Sequence, residues 1–168
     1  MFSVVTNQIF QKKPFNLIAR GMNIMSNYIG KKIYPKLNRV ETDCLHRALK
    51  NEFQRWDDII SLSNKKGNFS LASDYENDSI KLENLIAIFD QYEQTQENSQ
   101  EISFGQRDAA FIIETVDHEF YLWKKGNSSF KKEEFRVIEN TRKKITELAV
   151  NEYGPEILEL AHYERGKD

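Results

Sequence analysis

Apolar residues recur at alternating spacings of three and four along most of the chain, which is the period of an amphipathic α-helix. The first stripe follows Pro14 and ends before Gly30, two residues that suit the first position and the αL stop of a helix. Its members are Phe15, Ile18, Met22, Met25 and Ile29. Residues 1–13 carry a pattern too short to separate a strand from an irregular entry segment, and both interpretations stay open.

Capping boxes predict where the later helices begin, because the cap side chain and the residue three positions on satisfy each other's free backbone N–H groups. The candidate boxes are Asn38 with Glu41, Ser73 with Glu76, and Ser103 with Gln106. Ser128 or Ser129 can cap a further helix, which Gly154 ends before Pro155 opens a short last one.

Each predicted start leads into an apolar stripe at helical spacing. The stripes are Leu45, Leu49, Phe53, Trp56 and Ile60; Leu82, Leu85, Phe89 and Tyr92; Ala109, Ile113, Val116, Phe120 and Trp123; and Phe135, Ile138, Ile145, Leu148 and Ala149. The polar stretch over 95–101 predicts a loop between the second and third of these helices. The fold class that follows is all-α, a single-domain antiparallel helical bundle of five or six helices.

Two of these helices end in the same residues. Glu52-Phe53-x-x-Trp56 is followed by Lys65-Lys66-Gly67-Asn68, and Glu119-Phe120-x-x-Trp123 runs directly into Lys124-Lys125-Gly126-Asn127. Because the spacings differ, we interpret the similarity as repeated helix-ending chemistry, with duplication left open.

Length and composition agree with one helical domain over 1–168. The chain has 168 residues and only seven Gly and three Pro, about half the usual share of residues that interrupt helices. No apolar run reaches the roughly 18 residues of a membrane span, which predicts a soluble protein. The single cysteine, Cys44, excludes an intrachain disulfide framework and fits a reducing compartment, so we expect a cytoplasmic location.

Charge is distributed unevenly between the start of the chain and the rest. Residues 1–40 hold seven Lys and Arg and no Asp or Glu, a net charge of +7, whereas the whole chain carries −2 and residues 41–168 therefore −9. The basic residues are Lys12, Lys13, Arg20, Lys31, Lys32, Lys36 and Arg39. We expect the basic segment 14–40 to pack on the acidic body 41–168 and its charges to form the interaction surface of the protein.

Several partners fit this asymmetry. Complementary charge within the chain is the simplest explanation, and an acidic surface on another protein or on a second copy is the next. Nucleic acid is possible because Lys and Arg displace counterions from phosphates, although the isoelectric point near 6.0 is low for a dedicated binder. A membrane surface is the least favoured partner.

Catalytic and metal-binding patterns are sparse. None of the three histidines pairs at i, i+4 with another His or with Cys, so the sequence predicts neither a metal site nor a cofactor. Arg39 and His46, seven residues apart on a predicted helix, give R-x6-H, which resembles the upper spacing limit of the R-x4-6-H motif of HEPN-type helical ribonucleases. That resemblance implies that the pair would act on the 2′-hydroxyl and the scissile phosphate of RNA.

The sequence therefore favours a non-catalytic helical protein that binds a macromolecular partner, as regulators, inhibitors, adaptors and immunity proteins do. A nucleic-acid-binding protein that uses the basic residues 12–39 is the first alternative, and a HEPN-like ribonuclease is the second. The aromatics to examine for exposure are Tyr28, Tyr34, Tyr121, Tyr153 and Tyr163.

Overall fold

The computed structural model describes residues 30–95 and 102–160. These residues are mostly helical, which confirms the all-α class. The helix predicted over 14–29, the loop over 96–101 and the last eight residues lie outside the described part of the chain. The elements are β1 (Lys32–Ile33), α1 (Arg39–Lys65), α2 (Phe69–Thr95), β2 (Phe104–Gly105), α3 (Gln106–Lys124), α4 (Lys132–Tyr153) and α5 (Ile157–Leu160).

Helix α1 begins where the sequence predicts. Asn38 Oδ1 accepts the backbone N–H of Glu41 at 2.9 Å, and the Glu41 carboxylate accepts the backbone N–H of Asn38 at 2.9 Å. Both halves of the capping box are therefore present. Lys144 Nζ donates to the same carboxylate at 2.8 Å, so the cap also ties α1 to α4.

The predicted start of α2 at Ser73 is wrong, because the helix already begins at Phe69. Only residues 66–68 separate the two helices, and the side chain of Asn68 accepts the N–H of Leu71 at 3.4 Å. A turn this short leaves Ser73 inside the second helical turn. The start of α1 consequently lies against the end of α2.

The predicted start of α3 at Ser103 is also wrong. The helix begins at Gln106 after Gly105, which makes no side-chain cap. Phe104 and Gly105 instead form β2, which pairs antiparallel with β1 in the register Ile33 to Phe104 and Lys32 to Gly105. Phe104 is fully buried, so the apolar segment before the helix is more stable as a strand than as a first helical turn.

The sequence predicts that Ser128 or Ser129 caps α4, and this prediction is wrong. The helix begins at Lys132 after Lys131, whose backbone N–H donates to Glu134 Oε2 at 2.8 Å. The hydroxyl of Ser128 donates instead to the buried Glu119 on α3. A buried carboxylate needs a donor more than an exposed helix terminus does, since water can satisfy the terminus.

The repeated helix-ending chemistry is confirmed. At the end of α1, the N–H of Asn68 donates to Ser63 at 2.8 Å, and Gly67 has φ +74°. At the end of α3, the N–H of Asn127 donates to Leu122 at 2.8 Å, and Gly126 has φ +75°. Both are Schellman caps in which the left-handed residue is a glycine.

The core lies where α1 meets α2, α3 and α4. Trp56 of α1 is 2% exposed and contacts Tyr75 of α2 and Phe111 of α3, with ring centroids 5.9 and 6.4 Å away. Phe89 stacks on Phe104 at 5.8 Å, which extends this core to the strand pair. Gly154 ends α4 with φ +84°, as predicted, and α5 then packs on α3 and α4.

Tyr153 connects the end of α4 to both strands. Its hydroxyl lies 2.8 Å from the carbonyl oxygen of Lys31 and 3.1 Å from that of Phe104. The phenol has a single O–H, which donates to one of these two carbonyl oxygens at a time and so connects α4 with two distant parts of the chain.

Candidate functional site

A network of charged side chains is buried between α1 and α3. The Glu52 carboxylate, which is fully buried, accepts Trp56 Nε1–H at 2.9 Å and lies 2.7 Å from His118 Nδ1. Arg55 reaches Glu52 at 3.3 Å and Glu119 at 2.8 Å, and so lies between the two carboxylates. The two glutamates occupy matching positions in the repeated sequence noted above, and one guanidinium contacts both.

This network is closed to solvent. The side chains of Glu52, Glu119 and His118 are at most 4% exposed, and that of Arg55 is 20% exposed. A substrate would have to displace helix packing to reach these groups. We therefore interpret them as a structural network that fixes α1 against α3.

A second cluster joins the start of α1 to the end of α2. His46 is 3% exposed and its ring stacks on Phe89 at 5.6 Å. Its Nδ1 lies 2.6 Å from Glu93 Oε1, and its Nε2 lies 2.9 Å from Asp90 Oδ1. Lys50 Nζ is 3.6 Å from the same Asp90 oxygen. These His46, Asp90 and Glu93 atoms lie within 4.8 Å of one another, which makes the cluster a candidate for holding a metal ion.

The two ring nitrogens of His46 differ in their bonding. Nδ1 has a hydrogen-bond geometry toward Glu93, whereas Nε2 makes no hydrogen bond within the described chain despite its short distance to Asp90. The Asp90 oxygen consequently lies off the axis along which an N–H would point. Both carboxylates are nearly half exposed, so the cluster is open on its outer side.

The structure does not bring Arg39 and His46 to a common site. The Arg39 side chain is 93% exposed and lies 3.9 Å from Asp43 on its own helix. His46 is buried against α2. A ribonuclease arrangement would need both side chains at one phosphate, and here they face different surroundings.

Four of the seven basic residues of the predicted interaction surface lie in the described part of the chain. Lys12, Lys13 and Arg20 lie outside the described residues. Lys31, Lys32, Lys36 and Arg39 are exposed. Lys31 Nζ lies 3.9 Å from Glu152 on α4. Burial raises the pKa of Asp108 at the start of α3, and the nearby Arg107 and Lys32 oppose that rise. Part of the basic charge therefore faces acidic groups of this chain.

Three further groups have perturbed acidity. Burial raises the pKa of Tyr153 to about 12, with Glu152 and Asp108 adding to the effect. The hydrogen bond from Arg47 holds the pKa of Glu134 at about 2, and the backbone N–H of Lys131 contributes. Burial raises the pKa of the free Cys44 thiol, which favours the unreactive protonated form.

Helix α2 carries apolar side chains on the side that faces away from the core. Phe69, Ile80 and Ile88 are 67%, 58% and 37% exposed. They are eleven and eight residues apart, offsets of about 20° and 80° around the helix, so together they span about 100° of one side. We call this side the outward face of α2. The side chains between them are short or uncharged: Ser73, Asn77, Asn84 and Ala87.

Acidic residues border the outward face along one edge. Glu76 and Glu83 are exposed and seven residues apart, and Asn77 and Asn84 occupy the opposite edge at the same spacing. Of the aromatics singled out for examination, Tyr34 is 51% exposed and Tyr153 is buried.

Sequence reasoning missed the partners of His46. Asp90 and Glu93 are 44 and 47 residues away, and only a helical hairpin with a short turn brings them opposite His46. Gly67 provides such a signal. When a second helix begins directly after the turn at Gly67, residues at equal distances before and after the turn lie opposite each other. The predicted start at Ser73 concealed this pairing.

Comparisons with protein-family models, with curated proteins and with solved structures give no match to this chain. Among residues 30–95 and 102–160, no helix has both the length and the apolar character needed to cross a membrane.

Proposed function

We propose that the protein acts without catalysis, by binding a helical segment of another protein along the outward face of α2. The observation that carries the proposal is the exposure of Phe69 and Ile80, two large apolar side chains on one side of a helix. Single exposed apolar residues are common, but an aligned set on one face is typical of interaction sites.

The dimensions of the face fit a helix of ordinary length. Phe69 and Ile88 are nineteen residues apart, which is about 28 Å at 1.5 Å per residue. A partner helix with apolar residues at i, i+4, i+7, i+11, i+14 and i+18 spans about 27 Å and could cover that distance. The asparagine, serine and alanine side chains between the anchors are small enough to let such a helix approach closely.

The charges favour a basic partner helix over a second copy of this chain. Glu76 and Glu83 form an acidic edge that would pair with Lys or Arg on the partner. An antiparallel second copy would bring its own Glu76 and Glu83 to the same edge, and like charges would oppose the contact. We therefore infer that the partner is an amphipathic helix with basic residues beside its apolar stripe.

A designed peptide tests this partner chemistry. The probe is a fluorescein-labelled helix of about 22 residues with leucine at i, i+4, i+7, i+11, i+14 and i+18 and lysine on both edges. We expect its anisotropy to rise with the full chain and the rise to weaken between about 50 and 200 mM salt. Phe69→Ser combined with Ile80→Ser should abolish binding, and Glu76→Gln with Glu83→Gln should weaken it.

Leu158→Ser provides the matched control. Leu158 is an apolar residue of α5 that is 41% exposed, so its replacement removes similar surface elsewhere. The proposal fails if the peptide does not bind, or if the Leu158 variant loses as much binding as the α2 variant. A dimer in sedimentation equilibrium that the α2 variant dissociates would assign the face to self-association. Tighter binding of labelled single-stranded RNA or double-stranded DNA than of the peptide would favour a nucleic-acid partner.

The finer architecture belongs to the same proposal. We infer one antiparallel helical bundle that forms a single domain, supported by the three-residue turn between α1 and α2 and by the contacts of α1 with three other helices. Limited proteolysis should then leave a resistant fragment containing α1 to α4, and cleavage within the turn at Gly67 would contradict it. The free, buried Cys44 is consistent with a cytoplasmic location.

A further inference from the structure

The His46 cluster has the ligand chemistry of a site for a divalent transition metal. Imidazole nitrogen and carboxylate oxygen are the ligands with which proteins bind Zn²⁺ outside all-cysteine sites. His46 brings a ring nitrogen from α1, and Asp90 and Glu93 bring carboxylates from the last turns of α2. The cluster is separate from the buried network and from the outward face of α2.

The position of Asp90 relative to His46 suits two ligands of one ion better than a hydrogen-bonded pair. Two atoms that each lie about 2.05 Å from a tetrahedral Zn²⁺ ion are about 3.3 Å apart, so a shift of about 0.4 Å brings the His46–Asp90 pair to that separation. The oxygen of such a pair is about 35° from the axis of the ring nitrogen, off the line of a good N–H donor. His46 Nε2 and Asp90 Oδ1 are 2.9 Å apart and make no hydrogen bond.

Glu93 occupies the place of the carboxylate that orients a metal-binding histidine. Such a histidine usually donates its other ring N–H to a carboxylate, which fixes the ring and leaves the remaining nitrogen free to bind the metal. His46 Nδ1 lies 2.6 Å from Glu93 Oε1, and stacking on Phe89 holds the ring in plane. These contacts leave Nε2 as the ligand atom.

From this geometry we propose that His46 Nε2 and Asp90 bind a Zn²⁺ ion, with Glu93 as the positioning residue and water as the remaining ligands. His46 Nε2 is itself buried, so the ion would reach it past the Asp90 carboxylate, which is 45% exposed. Lys50 Nζ, 3.6 Å from Asp90 Oδ1, competes with the metal for that carboxylate. This inference does not depend on the proposed partner.

Isothermal titration of the full chain with ZnCl₂ at pH 7.5 is the direct test. We expect one ion per chain. Asp90→Asn should weaken binding at least tenfold, and Glu93→Gln should weaken it about 10- to 100-fold, as substitution of an orienting carboxylate typically does. Lys50→Met should tighten binding, because it removes the competing ammonium group. That increase is specific to a site at Asp90, since an unrelated site would not respond.

His46→Ala should abolish binding, provided that circular dichroism shows an unchanged fold. Because His46 is buried, Asp90→Asn is the second variant if the alanine variant unfolds; Asp90 is nearly half exposed and its amide has the same shape. Glu139→Gln, at an exposed glutamate of α4, is the matched control and should leave the affinity unchanged. The proposal is refuted if ZnCl₂ gives no binding heat, or if the Asp90, Glu93 and Lys50 variants bind as the natural chain does.

Discussion

Replacing Arg55 with methionine tests the charged network between α1 and α3. The guanidinium lies 2.8 Å from Glu119 and 3.3 Å from Glu52, and both carboxylates are fully buried. Methionine keeps the length and much of the volume of the arginine stem but carries no charge and no donor. The substitution therefore leaves two buried carboxylates without their shared counter-ion.

The expected cost is large. Removing one partner of a buried ion pair typically lowers the free energy of unfolding by about 3–5 kcal/mol, because the remaining charge stays desolvated. Arg55 is 20% exposed, so water can enter once it is gone, and we expect a loss near 3 kcal/mol. Single domains are stable by only about 5–15 kcal/mol, so this is a substantial part of the total.

Urea unfolding followed by far-ultraviolet circular dichroism measures the loss. With a slope of about 2 kcal/mol per molar urea, a loss of 3 kcal/mol moves the midpoint down by about 1.5 M. Arg39→Met is the matched control on the same helix, since the Arg39 side chain is 93% exposed, and it should cost less than about 0.5 kcal/mol.

A second substitution separates lost charge balance from lost packing. Adding Glu119→Gln to Arg55→Met removes one uncompensated charge and should recover part of the stability. The reasoning is refuted if Arg55→Met costs no more than Arg39→Met. It is also refuted if the double variant is less stable than Arg55→Met alone.

Three further predictions follow from the acidity of single groups and from the helix ends. The fold raises the pKa of Tyr153 from 10 to about 12, so the free energy of unfolding should fall as the pH rises from 10 to 12, where the unfolded chain loses the phenol proton first. Urea unfolding at pH 9 and 11 should show this fall, and Tyr153→Phe should reduce it. The fold lowers the pKa of Glu134 from 4.5 to about 2, so the Arg47–Glu134 ion pair stabilises the protein above pH 4.5 and this stabilisation is lost as the pH falls toward 2. A carboxyl ¹³C titration should show a Glu134 midpoint near pH 2, and Arg47→Met should raise that midpoint. Gly67→Ala and Gly126→Ala should each cost about 1 kcal/mol in urea unfolding, because both residues have positive φ, and a cost at only one position would contradict their equivalence.

Local chemistry predicted the helix ends more reliably than the helix starts. Gly67, Gly126 and Gly154 all end helices, because a left-handed residue after a helical stripe has few alternatives to glycine. Serine occurs at helix caps, in turns and within helices, so the S-x-x-E and S-x-x-Q patterns at Ser73 and Ser103 occur without marking a helix start. What decides those starts is tertiary: the short turn before α2 and the pairing of β2 with β1.

The buried charges could not be predicted from their types alone. Periodicity marks apolar residues, so Glu52 and Glu119 appear in the sequence as polar positions between stripes. They are buried because Arg55, Trp56 and Ser128 supply donors, and these contacts depend on how α1 and α3 meet. A glutamate at the centre of an apolar stripe, three residues before an arginine, was the available signal.

The strand pair also has a consequence for the order of folding. Its partners are about 70 residues apart in the chain, whereas α1 and α2 are joined by a three-residue turn. Closing the longer loop costs about 3 kcal/mol more in chain entropy, by the logarithmic dependence on loop length. We expect the α1–α2 hairpin to form early and the strand pair to form after the folding barrier, with the Tyr153 hydroxyl bonding to it last. Weakening that pair should then accelerate unfolding and leave the folding rate nearly unchanged. The stability of the strand pair would therefore determine how long the protein stays folded.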